Sequence, residues 1–120
     1  MAKTILIVDD NADLRNITKM TLQFGGYAVL EAGDGVEALE MLRQQPADLV
    51  VSDLAMPRMT GSELLAQLRA DAGFQSLPFI MCTAEENVSK DDMIKRGASA
   101  VVAKPYRPLD LLETIKRLLA

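Results

Sequence analysis

The sequence predicts an α/β fold: a doubly wound, five-stranded parallel sheet in the order 2-1-3-4-5, built from five strand-helix units. Three observations carry that expectation. Short apolar runs rich in β-branched residues alternate five times with longer amphipathic stretches, the pattern of units that build a parallel sheet. The first and third runs are apolar on both faces and so belong in the centre of the sheet. Charged side chains stand just past the ends of three runs, at the carboxyl edge where open α/β sheets assemble their ligand sites.

The first run, residues 4 to 8, ends at Asp9 and Asp10. Asn11, a good N-cap, opens a helix with Leu14, Ile17, Thr18, Thr21 and Leu22 at helical spacing, and Gly25-Gly26 stop it. After the second run, 28 to 31, a helix carries Val36, Leu39 and Leu42. The third run, 48 to 52, leads into Asp53, and the helix opening at Gly61-Ser62 presents Leu64, Leu65 and Leu68. The fourth, 78 to 83, ends in Thr83. The helix expected after it, about 86 to 96, is the exception. Val88, Met93 and Ile94 are its only large apolar residues, so it buries little and should be the least firmly held. The fifth run, 100 to 103, leads to Lys104, and the last helix opens at Pro108, a natural first-turn residue, with Leu111, Leu112, Ile115, Leu118 and Leu119. Right-handed crossovers are nearly obligatory, so this order leaves a switch point between strands one and three, which end in Asp9-Asp10 and Asp53.

With 120 residues and 49% apolar content, the chain has the size of one domain with a real core, and residues 1 to 120 are expected to form a single unit. No repeat or linker interrupts it, so it either acts alone or belongs to something larger. A net charge of -4 argues against direct binding of nucleic acid or of an anionic membrane surface. No apolar run reaches a signal-peptide core or the roughly 20 residues of a membrane span, which makes a cytoplasmic protein the expectation. Cys82 is the single cysteine, excludes an internal disulfide, and reads as a small buried hydrophobe. The absence of histidine removes imidazole bases and histidine metal ligands, so any phosphohistidine must belong to a partner.

Asp9, Asp10 and Asp53, converging without a histidine, make a poor proteolytic site and a good oxygen cage for a hard divalent cation, magnesium being the natural choice. Like charges a few ångströms apart repel, and a metal or the Lys104 ammonium relieves them. A carboxylate is also a nucleophile toward phosphorus, and a metal and a lysine would neutralise charge developing on the equatorial oxygens of an in-line transfer. The Thr83 hydroxyl can donate to a phosphoryl oxygen. Taken singly these residues are ordinary caps, turn formers and strand ends. Their coincidence at four carboxyl ends is what points to a metal and phosphoryl site.

These residues resemble the receiver domain of two-component response regulators, the CheY-like family with a flavodoxin-like (βα)5 fold. The likeness spans the whole chain: Ile5 to Asp10 (ILIVDD), Asp53 to Gly61 (DLAMPRMTG), Met81-Cys82-Thr83-Ala84, and Gly97-Ala98-Ser99 leading to Lys104-Pro105. The resemblance implies that Asp53 is the phosphoacceptor, that Asp10, Asp53 and the Ala55 carbonyl ligate magnesium with Asp9 acting through water, and that Thr83 and Lys104 hold the phosphoryl group. It implies a cis Lys104-Pro105 bond, a loop at Met56-Pro57 and Gly61 that turns the backbone toward the metal, a donor that is a histidine kinase or histidine phosphotransfer protein, and a downstream protein target. Output would pass through the face from about Glu86 to Ala120. Such a domain turns over its own phosphate weakly and is not an enzyme on external substrates.

One departure concerns the switch. The position three before the lysine, usually aromatic, is Val101, so the coupled threonine and aromatic rotation cannot occur in that form. Tyr106 offers a ring on the same side, and it also reads simply as a packing aromatic. Ala55 and Glu85 occupy the positions that tune phosphoryl lifetime in the family. The departure at Val101 motivates an alternative, a constitutive interaction module that no longer switches. A true magnesium-dependent phosphohydrolase is a third reading, set against loops too short to build a substrate pocket.

Overall fold

The computed structural model describes residues 2–84 and 89–120. Five strands, β1 (Thr4–Val8), β2 (Ala28–Ala32), β3 (Leu49–Asp53), β4 (Phe79–Thr83) and β5 (Ala100–Ala103), form one sheet in the order β2-β1-β3-β4-β5, every neighbouring pair parallel. The helices α1 (Ala12–Phe24), α2 (Gly35–Gln44), α3 (Gly61–Ala70), α4 (Lys90–Lys95) and α5 (Pro108–Leu119) alternate with them. The predicted order and class therefore hold.

Alternation along the strands divides the core into two layers. Leu6 and Val8 of β1 point to one side with Val50, Phe79 and Met81, where Ala38, Leu42, Leu64, Leu65, Leu68 and Met93 of α2, α3 and α4 cover them. Ile5 and Ile7 point to the other, with Leu49, Val51, Ile80 and Cys82 under Leu22, Leu111, Leu112 and Ile115 of α1 and α5. Strands covered on both faces carry no polar alternation, which is why β1 and β3 read as continuous apolar runs. Cys82 is buried as expected, and burial pushes its thiol up to about 12.

Local chemistry sets the helix starts. The side chains of Asn11, Asp34, Thr60 and Ser89 each accept a backbone N–H three residues on, from Leu14, Glu37, Glu63 and Asp92. At α3 the Glu63 carboxylate also accepts the Thr60 N–H, completing a capping box. Pro108 opens α5 without a side-chain cap, as its missing N–H allows.

Four elements differ from expectation at a boundary, β3 and β4 each starting one residue later, at Leu49 and Phe79. Strand β3 runs through Asp53 instead of stopping before it, because Asp53 stays in register with Cys82. Strand β2 extends to Ala32, paired with Val8. The fourth helix, expected from about 86 to 96, is Lys90–Lys95 among the described residues, its start fixed by the Ser89 cap; Glu85, Glu86, Asn87 and Val88 lie outside the described residues. Among the described residues, no helix is long and apolar enough to cross a membrane.

Candidate functional site

The sheet delivers the predicted residues to one edge. Asp9 follows β1, where its N–H donates to the Ala32 carbonyl at 3.1 Å, and Asp53 ends β3 beside it. Thr83 ends β4, and its carbonyl accepts the Lys104 N–H at 2.8 Å, fixing where the lysine leaves β5. Carboxylate oxygens of Asp9, Asp10 and Asp53 all lie within 4.8 Å of one another. Lys104 Nζ stands 3.2 Å from Asp53 Oδ2 and 3.3 Å from Asp9 Oδ2. Four side chains, Asp9, Asp10, Asp53 and Lys104, separated by as many as 95 positions thus meet at one place, and Thr83 lies buried at the end of β4 on the same sheet edge.

Exposure grades the three carboxylates. Asp9 is buried, Asp53 half-buried and Asp10 exposed. Both oxygens of Asp9 are already engaged, Oδ1 accepting the Asn11 N–H at 2.9 Å and Oδ2 the Lys104 ammonium. Burial raises the Asp53 carboxyl above its ordinary value; the neighbouring ammonium opposes this but does not outweigh it, and the Asp9 charge adds to it. Burial works against the Lys104 ammonium, yet Asp53 and Asp9 more than compensate and hold its pKa above the usual lysine range. Three carboxylates against one ammonium leave a net negative hollow of hard oxygen donors, and that donor set fits a magnesium-like cation.

The loop after β3 bends sharply. Leu54 donates to the Cys82 carbonyl at 2.9 Å, then accepts the Gly61 N–H at 2.8 Å, so the chain closes on itself across residues 55 to 60. A Cβ at Gly61 would collide with the Asp53 carbonyl and approach Met81 Sδ to 2.8 Å, and only glycine permits that approach. Ala55 stands exposed in the loop between buried Leu54 and Met56. The Lys104-Pro105 bond is cis, as the resemblance implied. Beside it a hollow of about 200 Å³ is lined by Leu14, Ala84, Lys104, Pro105 and Tyr106.

Tyr106 and Val101 do not share a side of the sheet. Val101 packs against the layer of α2, α3 and α4, whereas Tyr106 packs with the α1 and α5 layer. The ring is drawn there by its hydroxyl, 3.2 Å from Thr18 Oγ1 of α1, and by apolar contact past the end of β5. Tyr106 is therefore a packing aromatic with a tethered hydroxyl and does not stand in for a ring at Val101.

Several supporting residues escaped the sequence reading. Arg15 of α1 donates to the Asp9 carbonyl and pairs with Glu31 at 3.2 Å, bracing the start of the acidic turn. Arg58 in the loop pairs with Asp34 at 2.7 Å. Neither pairing has a local signature, since each joins positions 6 to 24 residues apart. Asp34 did carry a signal, a capping residue three before Glu37 at the mouth of an apolar periodic run.

The chain's likeness to known proteins agrees with this arrangement. The family described as "Response regulator receiver domain" matches residues 5–116. Response regulator MprA of Mycobacterium leprae is 40% identical over 116 residues, covering 96% of this chain and 50% of its own length. MprA of Mycobacterium ulcerans is 38% identical over 120 residues, 99% of this chain and 51% of its own. Among solved structures, chemotaxis response regulator CheY4 of Vibrio cholerae superposes with a TM-score of 0.89 at 34% identity, covering 98% of this chain and 99% of that one. A putative response regulator from Chloroflexus aurantiacus gives 0.92 at 31% identity over 99% and 98%. The chain belongs to the response regulator receiver domain family, the signalling modules of two-component systems. It spans about half the length of the curated relatives it matches.

Proposed function

We propose that residues 1 to 120 form one cytoplasmic receiver domain in which Asp53 accepts a phosphoryl group from a phosphohistidine on a partner histidine kinase or phosphotransfer protein. The observation that carries this reading is the placement of Lys104 Nζ 3.2 Å from Asp53 Oδ2 inside a cluster of carboxylates whose oxygens lie within 4.8 Å of one another. In the transfer, an Asp53 oxygen attacks phosphorus, a P–O bond forms, the P–N bond to the donor imidazole breaks, and the imidazole leaves with a proton. Burial makes the Asp53 carboxylate more basic and so a better nucleophile.

Asp10, Asp53 and the Ala55 carbonyl are the residues we assign to magnesium, which when bound supplies positive charge to the phosphoryl oxygens. Asp9, with both oxygens already occupied, suits a role through water. Lys104 holds a second positive charge against the transferred group, and the Thr83 hydroxyl donates to one of its oxygens. Once Asp53 is phosphorylated its charge resides on the phosphoryl oxygens of the acyl phosphate, and Lys104 and Thr83 make charge-assisted bonds to them, each worth roughly 1.5–3 kcal/mol. That suffices to shift a two-state element whose gap is a few kcal/mol.

The output we assign is protein contact through α4, β5 and α5. The mixed charges there, Lys90, Lys95, Arg96, Lys116 and Arg117 against Asp91, Asp92, Asp110 and Glu113, favour specificity over bulk attraction. The complete five-residue site supports switching over a constitutive module. Incubation with magnesium and acetyl phosphate or beryllofluoride tests the reading by amide chemical shifts and intact mass. Wild type should shift and gain one phosphoryl group from acetyl phosphate, while Asp53→Asn should do neither; an unresponsive wild type would refute the assignment.

A further inference from the structure

We propose that Arg58 and Asp34 form a clasp that holds the loop between β3 and α3 in the shape its metal-ligating backbone needs, making both of them positioning residues for the cation. The inference rests on the assignment of the Ala55 carbonyl as a ligand made above.

The loop's two ends are secured at Leu54 and at the Thr60 capping box, but its crown reaches out to another part of the chain. There Arg58 has φ of 63°, and it is the one non-glycine residue with positive φ among the described residues. L-residues adopt this region at a cost, and such outliers persist where surrounding structure over-determines them. The Met59 N–H closes a tight turn across Arg58 by donating to the Pro57 carbonyl at 2.7 Å, and the side chain adds a second hold: Nε and Nη2 both donate to Asp34 Oδ2, at 2.9 and 2.7 Å.

Asp34 is itself a firm anchor. Its other oxygen, Oδ1, accepts the Glu37 N–H at 2.9 Å as the N-cap of α2, and its side chain is only 12% exposed. That N–H bond, reinforced by the Arg58 guanidinium, keeps the carboxyl below its ordinary range and therefore charged. The next residues along both segments meet as well. A Cβ at Gly35 would stand 2.8 Å from Met59 Cγ, so the methionine lies directly on the first residue of α2. Two consecutive loop residues are thus seated on two consecutive residues of the α2 start. Ala55, three positions before Arg58, hangs between this clasp and the Leu54 ladder bond. Groups that orient ligands from outside the coordination shell tune metal affinity.

The test is a magnesium titration of the full chain followed by amide chemical shifts, with thermal melting measured in parallel. Arg58→Gly removes the clasp while easing the left-handed backbone, and Asp34→Asn weakens it while retaining a good capping residue. Each should lower magnesium affinity by about three- to fivefold, the range open to a partly exposed pair, with melting temperature held or raised in Arg58→Gly and slightly lowered in Asp34→Asn. The double variant should bind no more weakly than the worse single, and Arg58→Lys should recover part of the loss. Wild-type affinity in both single variants, alongside lost binding in Asp53→Asn, overturns the clasp and leaves the site assignment standing. Affinity that merely follows melting temperature across the series also overturns it. A wild type without magnesium-dependent shifts overturns the site assignment itself, and the clasp with it.

Discussion

Helices α3 and α4 lie in the same layer, yet they are built to different standards. Helix α3 has ten residues, a complete capping box, and Leu64, Leu65 and Leu68 with at most 1% exposure. Helix α4 has six residues and a single Ser89 cap, buries only Met93, and leaves Ile94 46% exposed. Fully burying a leucine stabilises by about 1.5–3 kcal/mol, so three of them secure α3 far more firmly than one methionine secures α4. The difference maps onto their neighbours. Helix α3 continues the loop that follows Asp53, where geometry must not drift; α4 is the first helix after Thr83, on the face assigned to output.

Mutations that strike each helix in turn can break that contrast or sharpen it. Leu68→Ala, in the fully buried row of α3, should cost about 3 kcal/mol in denaturant unfolding and speed hydrogen exchange throughout the domain. Met93→Ala should lower global stability by much less and accelerate exchange in α4 selectively. Equal, global effects of the two would remove the contrast.

Arg69 couples the two helices. At the end of α3, its Nε and Nη2 donate to the Gly97 carbonyl at 3.1 and 2.8 Å and its Nη1 to the Phe74 carbonyl at 2.7 Å. Arg69→Ala should cost about 2 kcal/mol, since three charge-assisted bonds to part-buried carbonyls are lost together, and exchange should rise at both Gly97 and Phe74. Next in size, Thr60→Ala should remove about 1 kcal/mol of global stability by opening the capping box, while Ser89→Ala should leave the denaturation midpoint nearly unchanged and fray only α4. Smallest of all, Asp92→Asn breaks the exposed pair with Arg96 at 3.0 Å and should change stability by about 0.3 kcal/mol.

Helix α4 also marks where the sequence stopped being informative. Strands β1, β3 and β4 were legible because burial on both faces writes itself as uninterrupted apolar runs, and α5 because its leucines recur at helical spacing behind Pro108. A helix with one buried side chain has no such periodic imprint, so the Ser89 cap was overlooked, and the expected start near residue 86 lies outside the described residues. The site divides the same way. Asp9, Asp10, Asp53 and Lys104 stood out because each follows an apolar run, and the sheet topology brings them together, with Thr83 at the same edge. Arg58 and Arg15 were missed because their meaning lies in pairings across the tertiary structure, which no local spacing encodes, and the capping signal at Asp34 was local but said nothing of its pairing with Arg58. Of the two readings of Tyr106 the packing aromatic holds, and the ring on the side of Val101 does not, for a related reason. Its direction is set beyond the end of β5 by Thr18, 88 positions away.

The outer strands β2 and β5 are short, five and four residues, and each carries a charge on or beside its path. Glu31 within β2 is tied to Arg15 and Lys19, and Lys104 directly follows β5. A foreign chain seeking to add a rung would find a brief template that soon meets an ion, the arrangement by which natural sheets deter filament growth. Edge-to-edge pairing is therefore discouraged at the margins of this sheet, at β5 by the same lysine that reaches into the acidic cluster.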